Sequence, residues 1–139
     1  MDRRPFNILV AEDNLGHQRL TEYALRRNPV PVRPIVVRDG QEVLDYLHHR
    51  PPYGDVEKFP RPDLILLDLN LPKRDGREVL SLIKENPALC DIPVIIVSTS
   101  DREEDVRHAL QTGAVAYISK SKGFDRYSDE IAGVAAYIR

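Results

Sequence analysis

The chain has 139 residues, enough for one domain with a hydrophobic core of its own. Its 20 basic and 22 acidic residues give a formal charge of -2, which builds no large field for nucleic acid or a membrane surface. The single Cys90 excludes an internal disulfide and fits a reducing compartment. No apolar run approaches the roughly 20 residues of a membrane helix, and residues 1–6 lack the apolar segment of a signal peptide. These features predict a soluble, cytoplasmic, single-domain protein without nucleic-acid or membrane partners.

The apolar runs lie at 8–11, 35–37, 64–67, 94–97 and 115–118. They are short and rich in Val, Ile and Leu, as strands buried on both faces of a parallel sheet are. Leu20, Tyr23 and Ala24 follow the first run at helical spacing, and Pro29, Pro31 and Pro34 punctuate the step to the second. Val43, Leu44 and Leu47 mark the next helix. The connection 49–62, with Pro51, Pro52, Pro60 and Pro62, reads as an extended loop too polar for a core. Val79, Leu80 and Ile83 mark the third helix, and Val106, Ala109 and Leu110 the fourth. Tyr127, Ile131, Val134 and Ile138 form one stripe of a closing helix. Strand and helix thus alternate five times, and right-handed crossovers place helices on both faces of one sheet. The predicted fold is α/β, a five-stranded parallel sheet, doubly wound.

Three helix starts carry Asp-x-x-Glu: Asp39 with Glu42, Asp75 with Glu78, and Asp101 with Glu104. This is a capping box with Asp at the cap, and its acids meet the positive end of the helix dipole. Asp39, Asp75 and Asp101 are therefore read as structural.

Other polar residues stand where apolar runs end: Glu12 and Asp13 after the first, Asp68 and Asn70 after the third, Ser98 after the fourth, and Lys120 after the fifth. In an open parallel sheet these ends share one edge, where such folds bind ligands. Carboxylates, a hydroxyl and a Lys brought together there suit a divalent cation and a phosphoryl group. Asp13 alone reads as a helix cap, Ser98 and Ser100 as loop polarity, Lys120 as a surface amine, and Tyr117 as a rim aromatic. Asp68 is harder to dismiss, because it directly follows four apolar residues and is costly to bury unpaired. Crowded carboxylates would raise at least one pKa. The competing structural reading is a salt-bridged cluster around Lys120. His17, His48, His49 and His108 show no metal-ligand spacing and are read as surface or rim residues, and Cys90 as a bystander. Dinucleotide, P-loop and nucleophile-elbow glycine motifs are absent.

Ile8-Leu9-Val10-Ala11-Glu12-Asp13-Asn14, Asp63-Leu64-Ile65-Leu66-Leu67-Asp68-Leu69-Asn70-Leu71-Pro72, Asp75-Gly76, Ile92-Pro93-Val94-Ile95-Ile96-Val97-Ser98-Thr99 and Gly113-Ala114-Val115-Ala116-Tyr117-Ile118-Ser119-Lys120 occur in this order. In order and spacing they resemble the receiver domain of two-component response regulators, over about residues 7–138. The resemblance implies a flavodoxin-like, CheY-like receiver fold with Asp68 as phosphoacceptor. It implies Mg2+ held by Asp13, Asp68 and the Asn70 backbone carbonyl, with Glu12 acting at least through water. Lys120 would pair with a phosphoryl oxygen, Ser98 would hydrogen-bond the phosphoryl group, and Tyr117 would turn inward as Ser98 moves. Asn70 and Ser100 would tune the lifetime of the acyl phosphate. Ser121 stands where the family usually has Pro, which predicts a different path into the last helix.

Glu12-Asp13-Asn14, the Pro-rich loop, Asp68-Leu69-Asn70-Leu71-Pro72-Lys73, Ser98 to Asp105 and Tyr117 to Ser121 look like the single-domain regulators that partner bacterial phytochrome histidine kinases. That implies a sensor histidine kinase as partner, no output domain, no enzymatic activity beyond the domain's own phosphorylation and dephosphorylation, and a homodimer through the fourth helix, fifth strand and fifth helix. Tyr137 is read as left for a partner. Two further readings are a Mg2+-dependent phosphatase for small phosphoesters and a phosphorylation-independent adaptor.

Overall fold

The computed structural model describes residues 4–138. Strands β1 (Phe6–Ala11), β2 (Val32–Val37), β3 (Leu64–Asp68), β4 (Val94–Ser98) and β5 (Ala116–Ser119) alternate with helices α1 (Leu15–Leu25), α2 (Gly40–Leu47), α3 (Gly76–Glu85), α4 (Glu103–Thr112) and α5 (Phe124–Ile131). All strand pairs are parallel, in the order β2-β1-β3-β4-β5. This is the predicted doubly wound fold, and its chain order reverses between β1 and β3. Such a switch point opens a crevice at the carboxyl ends of the strands. Among the described residues no helix is long and apolar enough to cross a membrane.

The two faces of the sheet follow the two-residue period of the strands. Leu9, Ala11, Ile65, Leu67 and Ile96 pack against Val43, Leu44, Val79, Leu80 and Ile83 of α2 and α3. Ile8, Val10, Leu64, Leu66, Ile95 and Val97 pack against Ala24 and Leu25 of α1 and Tyr127 and Ile131 of α5. At roughly 1.5–3 kcal/mol for each large aliphatic side chain buried, these contacts dominate the stabilisation. Tyr23 and Leu110, read from helical spacing, are exposed instead.

Several boundaries differ from expectation. Pro34 lies inside β2, paired with Ile8, and is tolerated because β2 is an edge strand. Asp39 caps α2 by accepting the Glu42 N–H at 2.8 Å, and Asp75 caps α3 by accepting the Arg77 N–H at 2.7 Å. Asp101 does not cap α4: that helix starts at Glu103 with Arg102 at its cap. The Ser100 hydroxyl already accepts the Arg102 N–H at 3.3 Å, and three acids, Glu103, Glu104 and Asp105, fill the first turn. The 49–62 loop is not wholly polar. Tyr53 meets Tyr46 at a tilt and Phe59 meets it edge-on, at ring-centroid separations of 5.2 and 6.0 Å, and the Tyr46 hydroxyl donates to the Pro60 carbonyl at 2.7 Å.

The closing helix is also shorter than its apolar stripe. α5 stops at Ile131, and a 3-10 turn, Val134–Tyr137, carries Val134 onto the sheet. Asn28, buried at the end of α1, stabilises the break. Its Nδ2 donates to the Leu25 and Ile131 carbonyls at 2.9 and 3.1 Å, and its Oδ1 accepts the Ala135 N–H at 3.0 Å. Asn28→Ala strands buried backbone groups and should cost about 2–3 kcal/mol, read as a lower urea midpoint at unchanged m-value.

Candidate functional site

Glu12 directly follows β1, Asp68 ends β3, Ser98 ends β4 and Lys120 follows β5, so the switch point gathers them at one edge. Lys120 Nζ donates to Asp68 Oδ2 at 2.7 Å and to Glu12 Oε1. Its side chain is only 6% exposed, so these carboxylates stand in for water around the ammonium. Glu12 is held independently: the Asn14 N–H donates to Oε2 at 3.1 Å, and Gln18 Nε2 donates to the Glu12 carbonyl at 2.7 Å. Asp68 Oδ1 accepts the Asn70 N–H at 2.9 Å. Burial pushes the Glu12 carboxyl above its ordinary range, against the pull of Lys120, and the charge of Asp68 adds the least of the causes. The expected pKa rise is present, but burial leads it rather than repulsion. Burial also pulls Lys120 down, yet Asp68 and Glu12 more than offset it and hold the ammonium above its usual value.

One carboxylate oxygen from each of Glu12, Asp13 and Asp68 lies within 4.8 Å of the others. Asp13 is exposed while Glu12 and Asp68 are buried, so the group opens to solvent on one side. A set of hard oxygen donors with only one ammonium against it fits a divalent cation.

His17 is a rim residue, as the sequence predicts, with its side chain 41% exposed, and the rim it occupies is that of this site. Its Nδ1 lies 3.4 Å from Lys120 Nζ and 3.7 Å from Glu12 Oε1. Asn14 caps α1 by accepting the His17 N–H at 3.0 Å, and helical side chains lean toward the N-terminus, which carries the ring over the site. A His one turn after an acidic pair and an Asn cap was the available signal.

Ser98 is fully buried. The Ser100 N–H donates to Ser98 Oγ at 3.0 Å, and the half-buried Tyr117 donates its hydroxyl to the Ser100 carbonyl at 2.7 Å. The Ser100 hydroxyl donates to Asp105 Oδ2 at 2.6 Å. Arg77 of α3 donates to Asp105 Oδ1 at 3.1 Å. These bonds, led by that from Ser100, hold the Asp105 carboxyl down at about 2. The sequence names Asp105 only as the end of the Ser98 to Asp105 run and assigns it no role, because its partner Arg77 lies on another helix. Beyond Lys120, Ser121 uses an N–H that Pro lacks, donating to Ser119 Oγ at 3.2 Å in the 3-10 turn Lys120–Lys122. Gly123 then enters α5 at φ +100°, a backbone conformation that favours glycine.

Two outcomes follow from this geometry. A Cβ on Gly76 would lie 2.1 Å from the Asp68 carbonyl oxygen, so Gly76→Ala should destabilise by about 1–3 kcal/mol in urea and disturb the end of β3. Asp105 has a folded pKa of about 2 against 3.8, so its contribution is full above pH 3.8 and is lost as pH falls toward 2. The melting-temperature advantage of wild type over Asp105→Asn should shrink in that window, and the Asp105 carboxyl carbon should titrate near its lower end in NMR.

The family model for the response regulator receiver domain matches residues 8–132. Response regulator Rcp1 of Synechocystis sp. is 38% identical over 96% of this chain and 88% of its own length. The probable methanogenesis regulatory protein FilR2 of Methanothrix harundinacea is also 38% identical, over 96% of this chain and 83% of its own. The crystal structure of the phosphorylated cyanobacterial phytochrome response regulator RcpA is similar, with a TM-score of 0.87 and 41% identity over 97% of this chain and 94% of that one. The Mn(2+)-bound form of Rcp1 has a TM-score of 0.85 at 38% identity, over 96% and 94% of the two chains. The chain belongs to the response regulator receiver family.

Proposed function

We propose that this chain is a phosphorylation-switched signalling domain that accepts a phosphoryl group on Asp68 from a sensor histidine kinase of the phytochrome type. The observation that carries this reading is a buried Asp68 at the switch point, bonded to Lys120 at 2.7 Å and grouped with Glu12 and Asp13. The similarity to Rcp1 and to RcpA, a cyanobacterial phytochrome response regulator, supports the kinase class.

Asp13, Asp68 and the Asn70 backbone carbonyl would hold Mg2+, with Glu12 acting at least through water. When bound, the ion neutralises charge on the carboxylates and the phosphoryl oxygens. An Asp68 oxygen attacks phosphorus, the bond to the kinase imidazole nitrogen breaks, and that nitrogen leaves with the electron pair. Lys120 gives up its bond to the Asp68 carboxylate and pairs with a phosphoryl oxygen. Ser98 donates its hydroxyl hydrogen to another. Tyr117 reports that movement through the Ser100 carbonyl. Exposed Asn70 controls the approach of hydrolytic water, and Ser100 contributes by holding the loop beside it. The domain alters only its own phosphorylation and turns over no separate substrate. A homodimer would use α4, β5 and α5, near which Leu110, Val115 and Tyr137 stand exposed.

Intact-mass spectrometry with a small phosphodonor tests the reading. Wild type should gain one Mg2+-dependent phosphoryl adduct and Asp68→Asn none. An adduct of equal yield on Asp68→Asn would overturn the assignment.

A further inference from the structure

Ser98 and Tyr117 are joined by a single residue, Ser100, whose backbone N–H and carbonyl serve one each. What fixes Ser100 lies outside the phosphoryl site. Its hydroxyl donates at 2.6 Å to Asp105, which is 8% exposed and sits in the first turn of α4. The other Asp105 oxygen takes Arg77 from α3 at 3.1 Å, and Arg102 Nε approaches Oδ2 at 3.4 Å. A carboxylate bonded by a hydroxyl and two guanidinium groups is a charge-assisted anchor, stronger than a neutral loop contact.

The hydrogen bonding of Ser98 gives this anchor a consequence. A serine hydroxyl has one hydrogen to donate and two lone pairs to accept with. With the Ser100 N–H occupying Ser98 Oγ, the hydroxyl hydrogen remains free to be donated to an acceptor at the sheet edge. If Ser100 drifts, that orientation is lost and Ser98 must be reordered when the phosphoryl group arrives.

We propose that Asp105 is a positioning residue for phosphorylation: clamped by Arg77, it holds Ser100 so that Ser98 presents its hydroxyl hydrogen to the phosphoryl group and Tyr117 stays tied to the same loop. This inference rests on the reading of Asp68 as phosphoacceptor and adds a residue that never touches the phosphoryl group. The depressed pKa of Asp105 agrees with a carboxylate kept charged for this purpose.

The test is titration with beryllofluoride and Mg2+, a phosphoryl mimic on the aspartate, followed by NMR or calorimetry. Wild type, Asp105→Ala and Ser100→Ala are compared, each also in a Ser98→Ala background, with Asp68→Asn as control. Loss of one such hydrogen-bond link should weaken binding about fivefold in Asp105→Ala. Ser100→Ala should reproduce much of that loss, and both losses should vanish once Ser98 is Ala, the mark of action through Ser98. Ser100→Ala carries the same test should Asp105→Ala not fold. Wild-type affinity in both variants, or the same loss whether or not Ser98 is present, overturns the proposal and leaves Asp105 as a structural tie between α3 and α4. Failure of wild type to bind beryllofluoride at all, or equal binding by Asp68→Asn, would instead overturn the underlying assignment of Asp68 and this inference with it.

Discussion

The structure is organised around one ammonium group. Lys120 reaches from the end of β5 to carboxylates at the ends of β1 and β3, and it is almost wholly withdrawn from water. That contact requires three strand ends to meet at one edge, which the parallel β2-β1-β3-β4-β5 sheet provides. It also requires the helices to enter from fixed points. Asn14 starts α1 while its N–H grips Glu12, and Gly76 lets α3 begin against the carbonyl of Asp68, where a side chain would collide. The local chemistry of each helix start is therefore part of the site.

The contact is poorly arranged for stability alone. A buried ion pair recovers little beyond its desolvation cost, and a second carboxylate on the same ammonium leaves negative charge in excess. Burial already drives the Glu12 carboxyl upward despite Lys120 beside it. The retained charge makes sense where a cation and a phosphoryl group complete the balance, the same electrostatic logic that links strain at a site to its use.

Much of this was legible in the sequence, and the rest failed for identifiable reasons. The central strands β3 and β4 were readable because they are buried throughout and apolar up to their last residue, so a polar residue at a run's end, as at Asp68, stood out. Asp39 and Asp75 were readable as caps because a cap depends on neighbours within one turn. Asp101 misled because α4 starts two residues later, at Glu103, with no side-chain hydrogen bond at its cap, and the Arg102 N–H goes to the Ser100 hydroxyl, which Asp105 holds. The end of α5 misled because Asn28, over a hundred positions away in sequence, supplies the bonds that let the helix stop. The proline-rich loop read as too polar for a core, and only the contacts of Tyr53 and Phe59 with Tyr46 bring part of it against the core.

The same distinction between local and distant bonds bears on how a change at Asp68 would travel. A new charge there meets Lys120, which belongs to β5, and Ser98, which belongs to β4. Both routes lead to β5 and α4: Lys120 directly follows the strand carrying Tyr117, and Ser98 reaches Tyr117 and Asp105 through Ser100. Signal propagation needs an element with two arrangements whose balance the site can bias. The 98–105 segment shares its hydrogen bonds between the site, a half-buried aromatic and a neighbouring helix, so it is where such a bias would be felt. The apolar sheet beneath it is close-packed. On the proposed reading of Asp68, a phosphoryl group there would therefore bear on the α4–β5 side of the domain through Lys120 and Ser98.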